Sequence, residues 1–152
     1  MFGPVLFCYD GSDGSRAALA SAGQLLARPV DAVVLTVWQP AAVRLAMAGG
    51  FAPGVLADES ELDEEEESYA KGVAEDGAAK ANESGYNASA RWPRAEVSVA
   101  QTILDVADEL DSRLIVCGQR GRGPIRSALL GSVSHALSGH THRPVLIAPQ
   151  KP

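Results

Sequence analysis

Apolar residues fall along this chain in short unbroken runs separated by stretches of helical spacing. The first run, Pro4-Val-Leu-Phe-Cys-Tyr9, is bounded by Asp10-Gly-Ser-Asp-Gly14 and predicts a buried strand followed by a turn. The alanine-rich segment from Ser15 to Ala27 predicts a helix, with Ser12, Asp13 or Ser15 available as its cap and Arg28-Pro29 ending it. Ala32-Val-Val-Leu-Thr-Val37 predicts a second buried strand, and residues 39–57, with Gly49-Gly50 and Pro53-Gly54, a long flexible connection.

From Asp58 to about Asn82 the spacing predicts a helix, with Leu62, Tyr69 and Val73 as a thin apolar stripe and Gly85 just beyond its end. The eight acidic residues between Asp58 and Glu67 lie in its first turns, where they suit the helix dipole. They lack the spaced ligands and glycine of a calcium loop and read as a solvated face. Asn87 to Trp92 is a weaker third strand that runs into Pro93. Ile103, Val106, Ala107 and Leu110 fall at i, i+3, i+4 and i+7 and mark an amphipathic helix. Leu114 to Cys117 is a fourth strand. Leu129, Val133, Ala136 and Leu137 mark a last helix, and Pro144-Val-Leu-Ile-Ala148 a fifth strand. Such alternation predicts an α/β fold, a doubly wound parallel sheet with helices on both faces and right-handed crossovers. The expected organisation is a single domain over residues 1–152.

Composition narrows the class. A charged fraction of 21% and a hydrophobic fraction of 46% are ordinary for a soluble domain. A formal net charge of −6 argues against broad nucleic-acid binding. Met1-Phe-Gly-Pro4 has no basic segment and does not read as a secretory signal, and no window approaches the ~18 apolar residues of a membrane span. Cys8 and Cys117 both sit inside apolar runs, which suits buried reduced thiols in a cytoplasmic protein.

The candidate chemistry lies in two loops. After the fourth strand comes Gly118-Gln-Arg-Gly121-Arg-Gly123, and after nine further residues from Gly121 comes Gly131-Ser132, giving G-x2-G-x9-G-S. Glycines at a strand end let backbone N–H groups turn towards a ligand without Cβ obstruction. A helix opening with Gly-Ser offers unpaired amides, a hydroxyl and a positive dipole end, a seat for nucleotide phosphates. Ser132 and Ser134 are suited to donate to phosphate oxygens, with helix capping or a solvent-facing position as their bland role. Arg120, Arg122 and Arg126 bring positive charge to the same loop. The other loop carries Asp10. If the first and fourth strands are neighbours at the point where strand order reverses, both loops face one crevice. Asp10 then accepts hydrogen bonds from a ribose or adenine, as against a plain turn and helix cap. Trp38 either walls a base pocket or is simply a partly buried aromatic. No G-x4-G-K-[ST], G-x-G-x-x-G or G-x-S-x-G run is present in these loops. His135, His140 and His142 crowd the last helix and its exit without a local carboxylate or thiolate, which reads as helix-end charge and packing, not a metal site.

Taken together, Val5-Leu-Phe-Cys-Tyr-Asp10-Gly-Ser, the strand ending Leu35-Thr-Val37, the signature closed by Gly131-Ser-Val-Ser134 and the terminal Thr141-His-Arg-Pro-Val-Leu-Ile-Ala148 resemble the universal stress protein family, over about residues 3 to 149. The glycine signature is that family's mark of members that bind ATP. The resemblance implies a five-stranded parallel sheet in order 3-2-1-4-5. It implies that Asp10 contacts the adenosine and that Val37 meets the adenine through its main chain. Gly118, Gly121, Gly131 and Ser132, with Arg122, Val133 and Ser134 nearby, would line the ribose and phosphates. It further implies a homodimer through the exposed strand Val145-Leu-Ile147, an edge that needs a cover. Gln119 and Pro124 depart from the usual small or glycine residues of that loop.

The function this implies is a cytoplasmic ATP-binding regulatory protein of stress response or growth arrest, with Mg²⁺ accompanying the phosphates. Two alternatives stand beside it: a slow ATPase or adenylating enzyme, and a nucleotide-free protein-binding dimer. No general base is evident beside the presumed phosphates, and Asp10-Gly-Ser-Asp-Gly-Ser15 only loosely echoes an adenylating loop.

Overall fold

The computed structural model describes residues 2–49, 59–121 and 130–149. Five strands, β1 (Val5–Cys8), β2 (Asp31–Leu35), β3 (Asn87–Arg91), β4 (Leu114–Gly118) and β5 (Val145–Ala148), form one sheet in the order β3-β2-β1-β4-β5. All pairs are parallel, with Phe7 opposite both Val34 and Val116. The expected doubly wound architecture is therefore present.

Alternation along the strands divides the core in two. Val5, Phe7 and Tyr9 point to one face, where they pack with Val34, Val116 and the inner residues of α1 (Asp13–Leu25) and α3 (Glu59–Glu83). Leu6, Leu35, Ile115 and Cys117 point to the other, against Ile103, Val106 and Ala107 of α4 (Val99–Glu109) and Leu137 of α5 (Ser132–His140). Burying a side chain such as Phe7 or Leu6 stabilises by roughly 1.5–3 kcal/mol. The Phe7 and Tyr86 rings meet edge-on at 5.2 Å.

Three local expectations change. The connection expected to be flexible from residue 39 contains a helix, α2 (Ala41–Met47), whose first amide, Ala41 N, donates to Asp63 Oδ1 of α3 at 2.8 Å. Pro40 before it is a good helix opener, a signal outweighed in the sequence by the surrounding glycines. Residues 50–57 of that connection lie outside the described residues. The stripe of α3 is also different. Leu62 and Tyr69 are 38% and 52% exposed and Val73 packs, partly buried, on the core, while Ala70, Ala74, Gly77, Ala78 and Ala81 are the buried face. Small residues at i, i+4, i+7, i+8 and i+11 let the helix lie close on the sheet. A Cβ on Gly77 would stand 2.7 Å from Tyr9 Cδ1 and 2.8 Å from Val34 Cγ1. Finally, β2 ends at Leu35, short of Val37, although Trp38 still bridges to Arg94.

Candidate functional site

The reversal of strand order lies between β1 and β2 on one side and β4 on the other, and the loops after these strands surround a cavity of about 610 Å³. Its walls carry Tyr9 and Asp10 after β1, Thr36 to Gln39 after β2, Gly118 at the end of β4 with Gln119 to Gly121 after it, and Leu130 to Ser134 at the start of α5. That volume is within the ordinary range for a small-molecule site. Of the nine residues singled out in sequence, Asp10, Val37, Gly118, Gly121, Gly131, Ser132, Val133 and Ser134 line it, while Arg122 lies outside the described residues, as do Gly123, Pro124, Arg126 and Leu129.

The two glycine-bearing loops lock into each other. Gly118 has no room for a side chain: a Cβ there would meet the Gly14 carbonyl carbon at 2.7 Å and its oxygen at 2.8 Å. Gly14 in turn packs on the Arg120 carbonyl oxygen. Backbone against backbone, α1 and the loop after β4 approach as closely as the chain allows. Gly118 is thus required for this contact as well as for any open cavity floor. A Cβ on Gly121 would lie 2.7 Å from Asp10 Oδ2. The other carboxylate oxygen, Asp10 Oδ1, accepts from Ser12 N at 2.9 Å across a turn in which Gly11 takes φ 75°. Asp10 therefore shapes the turn and also faces the cavity. The cap of α1 is Ser12, whose hydroxyl oxygen accepts from Ser15 N at 3.2 Å.

Helix starts distinguish α5 from its neighbours. Ser12 caps α1 and Ser98 caps α4, the latter accepting from Gln101 N at 3.1 Å. Helix α5 begins after Gly131, which has no side chain to cap with, so its first-turn amides and positive dipole end are left for the cavity. Gly131 N donates to Gln119 O at 2.8 Å, and Gln119 N donates to Ala148 O at 2.8 Å, which ties the helix start to β5 through the loop after β4. Ser134 is neither capping nor solvent-facing. It is buried, with its hydroxyl 3.1 Å from both Gln119 O and Gly131 O, and it holds that same junction.

At the other end of the cavity, the backbone after β2 alternates. Thr36 N donates to Arg91 O and Trp38 N to Pro93 O, both towards β3. Val37 between them turns its N–H and C=O the opposite way, past the end of β1, and among the described residues no hydrogen bond engages either group. Thr36 seals the strand end by donating its buried hydroxyl to Tyr9 O at 2.7 Å. Trp38 is buried against the cavity, its Nε1 donating to Trp92 O at 3.1 Å and Arg94 lying 5.9 Å from its ring centre.

Sequence reasoning missed part of the wall. Arg44 of α2 and Glu66 of α3, ion-paired with each other, line the cavity together with Tyr69, Val99 and Ile103. Their helices are distant in sequence from the glycine loops, and only the packing of α2 on α3 brings them in. Cys8 and Cys117 also line it, both as free thiols. Burial pushes the Cys117 thiol up to about 11 and, with smaller contributions from Cys117 and Asp10, raises Cys8 well above its ordinary value. Among the described residues no group of three or more metal-ligating side chains occurs. His140 Nδ1 lies 2.9 Å from Ala136 O within its own helix. No helix among the described residues is long and apolar enough to cross a membrane.

A doubly wound α/β sheet with its cavity at the strand-order reversal defines the class, and sequence similarity defines the family. The model of the universal stress protein family matches residues 1–149, and the chain belongs to that family. Universal stress protein YxiE of Bacillus subtilis (strain 168) is 33% identical over 150 residues, spanning 97% of this chain and 99% of its own. Among solved structures, universal stress protein UspA from Lactobacillus plantarum superimposes with a TM-score of 0.76 at 22% identity, covering 97% of each chain. The universal stress protein from Archaeoglobus fulgidus, solved in complex with dAMP, superimposes with a TM-score of 0.55 at 21% identity, covering 97% of this chain and 98% of its own.

Proposed function

We propose that this protein binds ATP, accompanied by Mg²⁺, in the switch-point cavity and serves as a regulatory protein of stress response or growth arrest. The observation that carries this reading is the convergence of three main-chain features on one cavity. Val37 offers an N–H and C=O that no described residue engages, for an adenine edge. Gly121 offers a backbone approach that any Cβ would close. The start of α5 after Gly131, with no side-chain cap, offers the amides from Ser132 onward for phosphates. Asp10, Gly118, Val133 and Ser134 complete the proposed lining, with Arg122 as a proposed phosphate partner. The dAMP bound by the Archaeoglobus fulgidus relative supports an adenine nucleotide as the ligand class. Mg²⁺ takes few protein ligands, so phosphate oxygens and water suffice to hold it.

In this reading ATP is a signal whose occupancy is sensed. Homodimerisation through the partly exposed β5 residues Val145 to Ile147 is the proposed assembly, and two free thiols, one buried and one partly buried, suit the reducing cytoplasm. Calorimetry with Mg-ATP tests the core of the proposal, alongside identification of any nucleotide that copurifies. Saturable heat at one nucleotide per chain is expected. Absence of heat at high protein concentration, with a folded sample and no copurifying nucleotide, overturns it.

A further inference from the structure

Two thiols line this cavity from neighbouring strands. Strand β1 pairs with β4 so that Leu6 stands opposite Ile115 and Phe7 opposite Val116, and continuing that register by one residue along both strands sets Cys8 beside Cys117, its electrostatic neighbour. Both side chains belong to the same face, since Cys117 is part of the core cluster of Leu6 and Ile115 and Cys8 packs against it. Both line the cavity and both are free. Cys8 retains partial exposure, so the pair has an approach from the cavity side.

We propose that Cys8 and Cys117 form a two-thiol site for a trivalent thiophilic metalloid, arsenite being the simplest member of the class. Spacing is the first argument. Neighbouring strands lie about 4.8 Å apart, and side chains in register on one face of a parallel pair are separated by about that distance. A direct disulfide wants its two Cβ atoms about 3.5–4.5 Å apart, so a one-atom bridge between the sulfurs suits the pair better. The number of ligands is the second. Zinc asks for about four donors, and among the described residues no cluster of three or more metal-ligating side chains is present. Charge is the third. The surrounding apolar walls favour neutral thiols, so a partner that leaves both sulfurs neutral is preferred over a monovalent metal ion, which would leave a buried net negative charge. Arsenous acid meets all three conditions. Each thiol forms one As–S bond, one As–OH bond breaks for each, and the two thiol protons leave with the two hydroxides as water. The product is (RS)₂As–OH, with no change of oxidation state and no co-reactant. The site rests on strand register and the cavity alone and stands whether or not a nucleotide binds there.

The test uses sodium arsenite with the full-length reduced protein. Native mass spectrometry is expected to show one arsenic per chain, and a maleimide pulse on the folded protein, with arsenite-free protein as the control, is expected to find both thiols blocked. Cys8→Ala and Cys117→Ala should each weaken arsenite binding by about 100-fold, because the second bond gains from effective concentration. Chains in which arsenite leaves either thiol free to react with maleimide overturn the site, as does one arsenic shared between two chains. A single-alanine variant that keeps wild-type affinity also overturns it. The blocking experiment needs only the wild-type protein and decides the matter even if a variant fails to fold. Calorimetry with Mg-ATP on the same sample reports the nucleotide reading separately.

Discussion

Gly121 and Asp10 occupy adjoining loops so closely that a methyl group on Gly121 would come to 2.7 Å from Asp10 Oδ2. Asp10 cannot simply swing aside, because its other oxygen holds Ser12 N at 2.9 Å in the turn that leads into α1. Gly121→Ala is therefore expected to displace the loop after β4 and to weaken Mg-ATP binding by about 10-fold or more, which corresponds to about 1.4 kcal/mol. The fold should persist, since Gly121 is exposed. Combining it with Asp10→Ala should give less than the sum of the two losses, as coupled neighbours do. Calorimetry on the four proteins of the cycle measures this. Strict additivity would mean the two loops do not act together.

Gly14 and Gly118 make the complementary claim about stability. Each faces backbone, not a movable side chain, so Gly118→Ala has no cheap relaxation. Overpacking of this kind costs about 1–3 kcal/mol, and the loss should appear as a lower urea midpoint at unchanged m-value. A variant as stable as the parent would show that the loop after β4 shifts freely against α1.

Helix α3 permits a paired experiment on two of its own glycines. Gly72 has open space where a Cβ would go, so Gly72→Ala should gain up to about 1 kcal/mol from helix propensity alone. Gly77 carries the same propensity gain but faces Tyr9 and Val34 at 2.7 and 2.8 Å. Val34 is fully buried, and Tyr9 is pinned by its hydroxyl, which donates to Asp76 Oδ2 at 3.3 Å. The steric cost exceeds the gain, and Gly77→Ala should lose about 1–2 kcal/mol net. Denaturation curves that move the two variants in the same direction would contradict the close seating of α3 on the sheet.

That seating also marks the limit of what the sequence disclosed. Continuous apolar runs at Val5, Val33, Ile115 and Leu146 announced a parallel sheet, because strands buried on both faces have no polar alternation to hide. The inner face of α3 was illegible for the opposite reason. Alanine and glycine carry little hydrophobic signal, whereas the larger Leu62 and Tyr69 lie on the exposed side. The glycine loops were readable because φ freedom and close approach leave a compositional trace. That Gly118 faces Gly14 was not, since it depends on a contact between segments about a hundred residues apart. Likewise Arg44 and Glu66 reach the cavity only through the docking of α2 on α3, where Asp63 receives the Ala41 amide. That Cys8 and Cys117 share one face of neighbouring strands follows from the order and register of β1 and β4, which two isolated cysteines in a sequence do not disclose.

The buried thiols give the protein an alkaline limit that can be measured. Cys117 ionises near 9.0 in an ordinary setting and is pushed up to about 11 by burial. Between those values the unfolded chain has released this proton while the folded chain keeps it. Unfolding then releases protons, and stability falls as pH rises across that window, with the full contribution present below it. Two units correspond to about 2 to 3 kcal/mol, and Cys8 adds a contribution of the same sign. Cys117→Ala should be less stable than wild type near neutrality, from the lost buried sulfur, yet lose less on going from about pH 9 to about pH 11. Urea denaturation of both proteins across that range measures the difference in slope. Parallel curves would mean that Cys117 ionises in the folded protein as readily as in the unfolded chain, and that the floor of the cavity is wet.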